Sequence, residues 1–207
     1  MRIRKSIFLL FLLLSNLPVL AQVEEAWVRR YNGTWAYGLE VDKNGNVYVT
    51  GSSGTIKYSS DGDSLFFVRR YGNGSDDISV DNSENLYITS GAGTIRYSTT
   101  GDSLRFGLFG LYLGESLELD SAGNVYVTGS IYRESTYADY ITIKYNSQGD
   151  TLWTEYYQGS GTYSVDEATA LSLNGNGDIY VTGYSFDTAT LEDYATIKYS
   201  ADGGVLW

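Results

Sequence analysis

The stretch Asp42-Lys-Asn-Gly-Asn-Val-Tyr-Val-Thr-Gly51 decides how this chain folds, because close copies of it stand at three further places. It returns as Asp81-Asn-Ser-Glu-Asn-Leu-Tyr-Ile-Thr-Ser90, as Asp120-Ser-Ala-Gly-Asn-Val-Tyr-Val-Thr-Gly129 and as Asn174-Gly-Asn-Gly-Asp-Ile-Tyr-Val-Thr-Gly183. A second block follows each: Thr55-Ile-Lys-Tyr-Ser-Ser-Asp-Gly62, Thr94-Ile-Arg-Tyr-Ser-Thr-Thr-Gly101, Thr142-Ile-Lys-Tyr-Asn-Ser-Gln-Gly149 and Thr196-Ile-Lys-Tyr-Ser-Ala-Asp-Gly203. Between Tyr48, Tyr87, Tyr126 and Tyr180 the spacings are 39, 39 and 54 residues. That is the period of a four-stranded propeller blade, not of a helical repeat.

Each unit holds four short β-rich segments, which in the first are Ala36 to Asp42, Asn46 to Gly51, Thr55 to Ser59 and Ser64 to Tyr71. Leu39 and Val41 alternate with Gly38 and Glu40, and Val47 and Val49 with Tyr48 and Thr50, the two-residue period of a strand with two different faces. The first link, Asp-x-x-Gly-Asn, is a hairpin signal: the Asp bonds its own turn, and Gly45, Gly123 or Gly177 takes a left-handed backbone. Glu84 breaks the pattern, so the second unit either bears a cost of about 1 to 2 kcal/mol or changes turn type. The other reading of Asp42, Asn44 and Asn46 is a calcium loop, but the distal bidentate Glu is missing and each copy lies where a strand must reverse.

These blocks, with Asp-Tyr before Thr-Ile-Lys-Tyr and Leu-Trp after it, resemble the bacterial seven-bladed β-propeller repeat family, the SBBP type, in four copies over about residues 24–207. Units three and four fit best, through Asp139-Tyr140, Asp193-Tyr194, Trp153 and Trp207, while Phe66 and Phe106 replace Trp in units one and two. The resemblance implies a bacterial secreted or cell-surface protein and brings no shared catalytic residues. The expected fold is all-β: a propeller of four-stranded antiparallel blades, with repeats at about 32–71, 72–110, 111–157 and 158–207 and a further fourth-type strand at 24–31. The sequence predicts an incomplete ring, since Trp207 falls just inside a fourth strand; the alternative is a four-bladed ring closed by Ala26-Trp-Val-Arg-Arg-Tyr31.

Composition narrows the chemistry. Of 207 residues 43% are hydrophobic and 15% aromatic, enough for a globular core, and there is no Cys and no His. Disulfides, thiolate nucleophiles, Cys/His zinc sites and His-dependent triads are thereby excluded. Arg2, Arg4 and Lys5, the apolar run Ile7 to Leu14 and the site Val19-Leu20-Ala21 predict a signal peptide over 1–21, with 22–207 as the propeller repeat region. Its apolar run is too short for a membrane anchor, so no membrane insertion is expected after cleavage. The rest keeps 11 cations against 25 acids. Such a surface repels nucleic acid, and only Arg29-Arg30 and Arg69-Arg70 hint at a basic patch. The secreted or cell-surface location, with the periplasm as the alternative, follows from the signal.

Eight of the 20 tyrosines fill two repeat positions, Tyr48, Tyr87, Tyr126, Tyr180 and Tyr58, Tyr97, Tyr145, Tyr199. Residues repeated in every blade pack blade on blade, so a core role is expected rather than a ligand-stacking ladder. Lys57, Arg96, Lys144 and Lys198 also recur, and are expected to lie against a Tyr and pair with a carboxylate rather than ring an axis. Acid pairs such as Asp76-Asp77 and Asp166-Glu167 have no fixed separation, and no nucleophile elbow or phosphate loop occurs. No catalytic residue, cofactor or metal site is therefore assigned. The reading is a non-enzymatic module that binds an unknown protein or glycan, or acts as a scaffold. The alternative is a propeller enzyme acting on an extracellular polymer through carboxylate and tyrosine residues.

Loop lengths locate the candidate binding face. From Gly51 to Lys57 and from Ser90 to Arg96 is six positions, but from Gly129 to Lys144 and from Gly183 to Lys198 it is fifteen. The link from Tyr71 to Asp81 is ten positions and that from Tyr157 to Asn174 seventeen. All this variation falls on one side of the disc, where Tyr132, Tyr137, Phe186, Tyr163, Asp166 and Glu167 gather as candidate ligand contacts.

Overall fold

The computed structural model describes residues 25–31, 35–69, 77–106, 112–133, 137–160, 164–187 and 191–207. The expected signal at 1–21 lies outside them, as do Arg70, Tyr71 and Tyr163. Blade one holds β1 (Ala36–Val41), β2 (Val47–Gly51), β3 (Gly54–Tyr58) and β4 (Ser64–Arg69). Blade two holds β5 (Asp77–Val80), β6 (Leu86–Ser90), β7 (Gly93–Tyr97) and β8 (Ser103–Phe106). Blade three holds β9 (Tyr112–Leu119), β10 (Val125–Arg133), β11 (Tyr137–Tyr145) and β12 (Thr151–Tyr157). Blade four holds β13 (Glu167–Leu173), β14 (Ile179–Asp187) and β15 (Leu191–Tyr199), and Val205–Trp207 runs along the edge of β15. Every sheet is an antiparallel meander in chain order, as the repeats predict. No helix among the described residues is long and apolar enough to cross a membrane.

The turns show why the repeat folds locally. Asp42 Oδ1 accepts the amides of Asn44 and Asn46 at 2.9 Å each, while Oδ2 accepts Asn46 Nδ2 at 2.8 Å. Asp81 and Asp120 make the same bonds, and Asn174 makes the two backbone ones. The side-chain oxygens are thus spent inside the turn, the Asx-turn reading of the motif. Gly45 has φ 78°, and Glu84 holds the same left-handed turn at φ 62°. A Thr hydroxyl pair then ties the second strand of every blade to the third: Thr50 to Thr55, Thr89 to Thr94, Thr128 to Thr142 and Thr182 to Thr196, at 2.8 to 3.1 Å.

The core lies between blades, and its two sides differ. The leading face of each blade offers tyrosine, the cation and an aromatic ring; the trailing face of the next answers with aliphatics. Tyr87 and Phe106 of blade two pack on Leu117, Val125, Val127, Ile143 and Tyr145 of blade three. Tyr126, Tyr140 and Trp153 of blade three pack on Leu171, Ile179, Val181, Ile197 and Tyr199 of blade four. Tyr48 of blade one meets Ile78 and Leu86 of blade two. Six of the eight repeated tyrosines are buried, as expected, while Tyr97 and Tyr180 are half-buried.

Phe106 takes the Trp place by an unequal route. Trp153 is the fourth residue after its turn glycine, where blade two has Arg105. In blades one and three a β-bulge lies between the third strand's Lys and Tyr, whereas the β7–β8 ladder runs without one. Phe106 therefore pairs with Thr94 and points to the same face as Trp153, which pairs with Lys144. Its ring lies 6.0 Å from Tyr87 and 5.7 Å from Tyr145, and it is fully buried.

Candidate functional site

The residues inserted in blades three and four are spent on strand rather than on loop. β10 and β11 pair from Val125 with Tyr145 up to Arg133 with Tyr137, and β14 and β15 from Ile179 with Tyr199 up to Asp187 with Leu191. The corresponding strands of blades one and two have five residues each. Two hairpins thus rise above the rest of the disc. The alternation carrying them is visible in Gly129-Ser-Ile-Tyr-Arg133, although the sequence analysis treated these positions only as a link.

Each raised hairpin has a strained residue on its returning strand. Tyr137 has φ 70° and Leu191 φ 72°, a left-handed conformation that costs a side-chain-bearing residue about 1 to 2 kcal/mol. In the short hairpins the residue at this end is Gly54 or Gly93, both with positive φ. Tyr137 meets Tyr132 edge to face at 6.2 Å, and both are exposed. Behind them Arg133 lies 3.5 Å from Asp139 and 4.1 Å above the Tyr156 ring of β12, which braces the upper end of the hairpin.

The link between blades three and four lies beside this tip. Ala138 bridges Val165, and Asp166 donates its amide to Ala138 at 2.8 Å. Asp166 is fully buried and does not face a ligand: Oδ1 accepts from Ser185 and the Phe186 amide, Oδ2 from Ser164 and the Gly159 amide, at 2.6 to 3.0 Å. The expectation that Asp166 is a contact residue is corrected: it anchors the rim from within. Its neighbours in sequence gave no sign of this, because Ser185 and Phe186 arrive from another strand. Phe186 is half-buried on β14, opposite Glu192. Glu167, also half-buried, stands opposite Tyr184 across β13 and β14. Burial, then Glu167, Glu192 and Glu115, hold the Tyr184 phenol well above its ordinary value. Ser160 bonds Asp187 and ties the link to the tip of β14. Of the expected contacts, Tyr132, Tyr137, Phe186 and Glu167 thus share one rim, and Tyr163 lies outside the described residues.

The recurrent cations lie against tyrosine as expected, with Lys57, Lys144 and Lys198 4.8 to 5.4 Å from the ring centres of Tyr48, Tyr126 and Tyr180. The carboxylate partner holds for two: Lys57 lies 3.5 Å from Asp42, and Lys198 2.8 Å from Asp178. Arg96 and Lys144 instead donate to carbonyls in the next blade's turn, Ser147 at 2.9 Å and Ala201 at 3.1 Å. Lys57 keeps its proton more tightly than usual; its burial works against this and is outweighed by Tyr48 and Glu84.

No curated protein matches this chain in sequence. Among solved structures, virginiamycin B lyase from Staphylococcus aureus is similar with a TM-score of 0.59 and 12% identity, over 82% of this chain and 54% of that one. The extracellular domain of a one component system from B. thetaiotaomicron gives 0.52 and 15%, over 81% of this chain and 24% of that one. A gluconolactonase from Xanthomonas campestris gives 0.50 and 12%, over 84% and 75%. The chain spans about half the length of the lyase and a quarter of the one component system chain. At these identities the likeness is one of fold. The SBBP beta-propeller repeat matches residues 27–55, which reach from Trp27 through the Asx turn into blade one's third strand, so the chain carries a β-propeller repeat of that family.

Proposed function

We propose that this chain is a non-enzymatic module, secreted or displayed on the cell surface, that binds carbohydrate on the raised rim of blades three and four. The observation carrying this reading is the pair of extended hairpins, each with a bulky residue, Tyr137 or Leu191, held at positive φ where blades one and two have glycine. Backbone strain at an exposed tip costs stability and is found where a side chain must be aimed. Tyr132 and Tyr137 offer ring faces and edges to the C–H faces of a sugar, and Glu192, with Asp187 beside it, offers acceptors to its hydroxyls. The acidic surface opposes anionic polymers, so neutral glycans fit best. A second reading, a propeller enzyme acting on an extracellular polymer, draws on Glu167 standing opposite Tyr184 across β13 and β14 at this rim. Screening the purified protein on a glycan array beside a hydrolase substrate panel separates them. Glycan binding lost in Tyr132→Ala and Tyr137→Ala without turnover supports the module; turnover abolished by Glu167→Gln supports the enzyme; binding only to proteins removes the carbohydrate assignment.

A further inference from the structure

In three of the four turns that follow a blade's third strand, a ring lies on the turn glycine. Trp27 stands 5.8 Å from Tyr58, donates Nε1 to Ser60 O at 3.0 Å and lies against Gly62. Trp153 stands 6.3 Å from Tyr199, donates Nε1 to Ala201 O at 3.2 Å and lies against Gly203. Phe106 stands 5.7 Å from Tyr145 and lies against Gly149. Beneath these rings Tyr58, Tyr145 and Tyr199 are buried, as are Gly62 and Gly203, and Gly149 is half-buried.

The turn of blade two is bare. Among the described residues nothing lies within 4 Å of the place a side chain would take on Gly101, and that glycine is exposed. Tyr97 is only half-buried, with no described ring against it. Its cover falls to Phe66, which pairs with Lys57 as Trp153 pairs with Lys144. Phe66 meets Tyr48 edge to face at 6.3 Å, as Trp153 meets Tyr126 at 6.2 Å, but a phenyl stands where blade three has an indole, and it is 38% exposed. The cation is withdrawn as well. Arg96 and Lys144 donate to Ser147 O and Ala201 O in the next blade's turn, whereas Lys57 is held by Asp42 and Glu84. Thr99 O, the matching carbonyl, accepts no bond from the described residues.

We propose that the slot between blades one and two takes the tryptophan side chain of a partner polypeptide bound in extended form. The fold itself shows what fits. The same turn carries an indole in blades one and four, its N–H on the carbonyl that Thr99 leaves open. The slot continues the packed junction of Tyr48, Ile78 and Leu86, so a ring entering it extends an interface already built. Trp153 arrives on a strand, and β4 beside the slot is the outer edge of its sheet, along which a peptide strand can lie. Tryptophan suits such a place, because it buries a large apolar face and still satisfies one polar atom. The slot opens on the side of the disc away from the raised hairpins, so this contact is separate from the glycan rim.

Calorimetric titration of the purified protein with a blocked pentapeptide, its central tryptophan flanked by threonines, tests this. Saturable binding is expected, absent when alanine replaces the tryptophan. Benzothienylalanine, which keeps the shape of the ring and lacks the N–H, is expected to bind about fivefold more weakly. Phe66→Trp supplies the indole from within and is expected to weaken peptide binding more than about tenfold without lowering Tm. Tyr97→Leu removes the floor of the slot and is expected to weaken binding as much, with circular dichroism unchanged; should Phe66→Trp fail to fold, this variant decides. Absence of saturable binding overturns the proposal, and so does binding that survives either folded variant. Free 3-methylindole binding as tightly as the peptide would overturn the polypeptide partner in favour of a small molecule.

Discussion

Lys57 reaches from the third strand of blade one to Glu84 in the first turn of blade two, with Nζ 3.3 Å from Oε2, and Glu84 is the one non-glycine residue among the four positive-φ turn positions. Asn44 of blade one donates to the same carboxylate at 2.6 Å. The left-handed backbone costs about 1 to 2 kcal/mol, and these inter-blade bonds offset it. Glu84→Ala keeps the strain and loses the bonds, whereas Glu84→Gly loses the bonds and relieves the strain. The alanine variant is therefore expected to be the less stable of the two by about 1 kcal/mol in denaturant unfolding. The reverse order sinks this account.

The first-turn pair reads Asp120 with Asn124 in blade three and Asn174 with Asp178 in blade four. One member supplies an acceptor and the other an NH2 group, and either arrangement serves. Asp120→Asn alone replaces a bond to a carboxylate by one between two neutral amides and is expected to cost about 1 kcal/mol. Adding Asn124→Asp should recover most of that loss, giving a positive coupling in a double-mutant cycle. Additive effects would mean the side-chain bond contributes nothing.

Phe106 and Phe66 look alike in the sequence and differ in the structure. Phe106 is sealed between Tyr87 and Tyr145, so Phe106→Ala is expected to cost about 3 to 5 kcal/mol. Phe66 stands on a more open surface, 38% exposed, and its alanine variant should cost much less. Equal losses in urea unfolding would show that the missing bulge in the β7–β8 ladder does not bring Phe106 into the core.

The repeat made the blades, the Asx turns, the turn glycines and the core tyrosines legible, because each depends on neighbours within a few residues or on the next copy of the same unit. What stayed hidden depends on encounters across the chain. The compensation of Glu84 by Lys57 requires two blades to be docked. Asp166 reads as an exposed acid until Ser185 and Phe186 are brought to it from β14. The hairpins of blades three and four read as inserted length although the alternation in Gly129-Ser-Ile-Tyr-Arg133 carries the strand, and the positive φ of Tyr137 and Leu191 has no signal in the sequence.

Glu40 on β1, Asp77 on β5 and Glu118 on β9 lie close enough to repel one another. Burial first, then Asp77 and Glu40, raise the carboxyl of Glu118; burial and then Asp77 raise that of Glu40, against a bond from the Val41 amide. An acid raised on folding subtracts stability as pH climbs through its unfolded value toward its folded one, and the deficit then persists at neutral pH. Glu118→Gln is therefore expected to raise stability at pH 7 and to leave it unchanged at pH 3, where both forms are neutral. A loss at pH 7, or an equal gain at both, would show that the charged form of Glu118 carries no penalty from its burial and its acidic neighbours.

The rim offers the sharpest separation between a binding role and a supporting one. Tyr132 and Tyr137 are exposed and hold little of the core, so alanine at either should leave Tm within a few degrees of the parent. Their loss should nonetheless weaken glycan binding, by about tenfold if one ring stacks on a sugar. Asp166→Ala works the other way: it strands Ser164, Ser185 and two amides inside the fold. Each buried donor left without a partner costs about 1 to 3 kcal/mol, so a large drop in Tm is expected, with binding reduced because the rim loses its anchor. Asp166→Asn keeps one acceptor oxygen and should fall between the two. The readings that matter are paired, Tm by calorimetry and affinity by titration with the best glycan from the array. Should the tyrosine variants lose stability in proportion to binding, or Asp166→Ala bind weakly while melting like the parent, the roles assigned to rim and anchor would have to be exchanged.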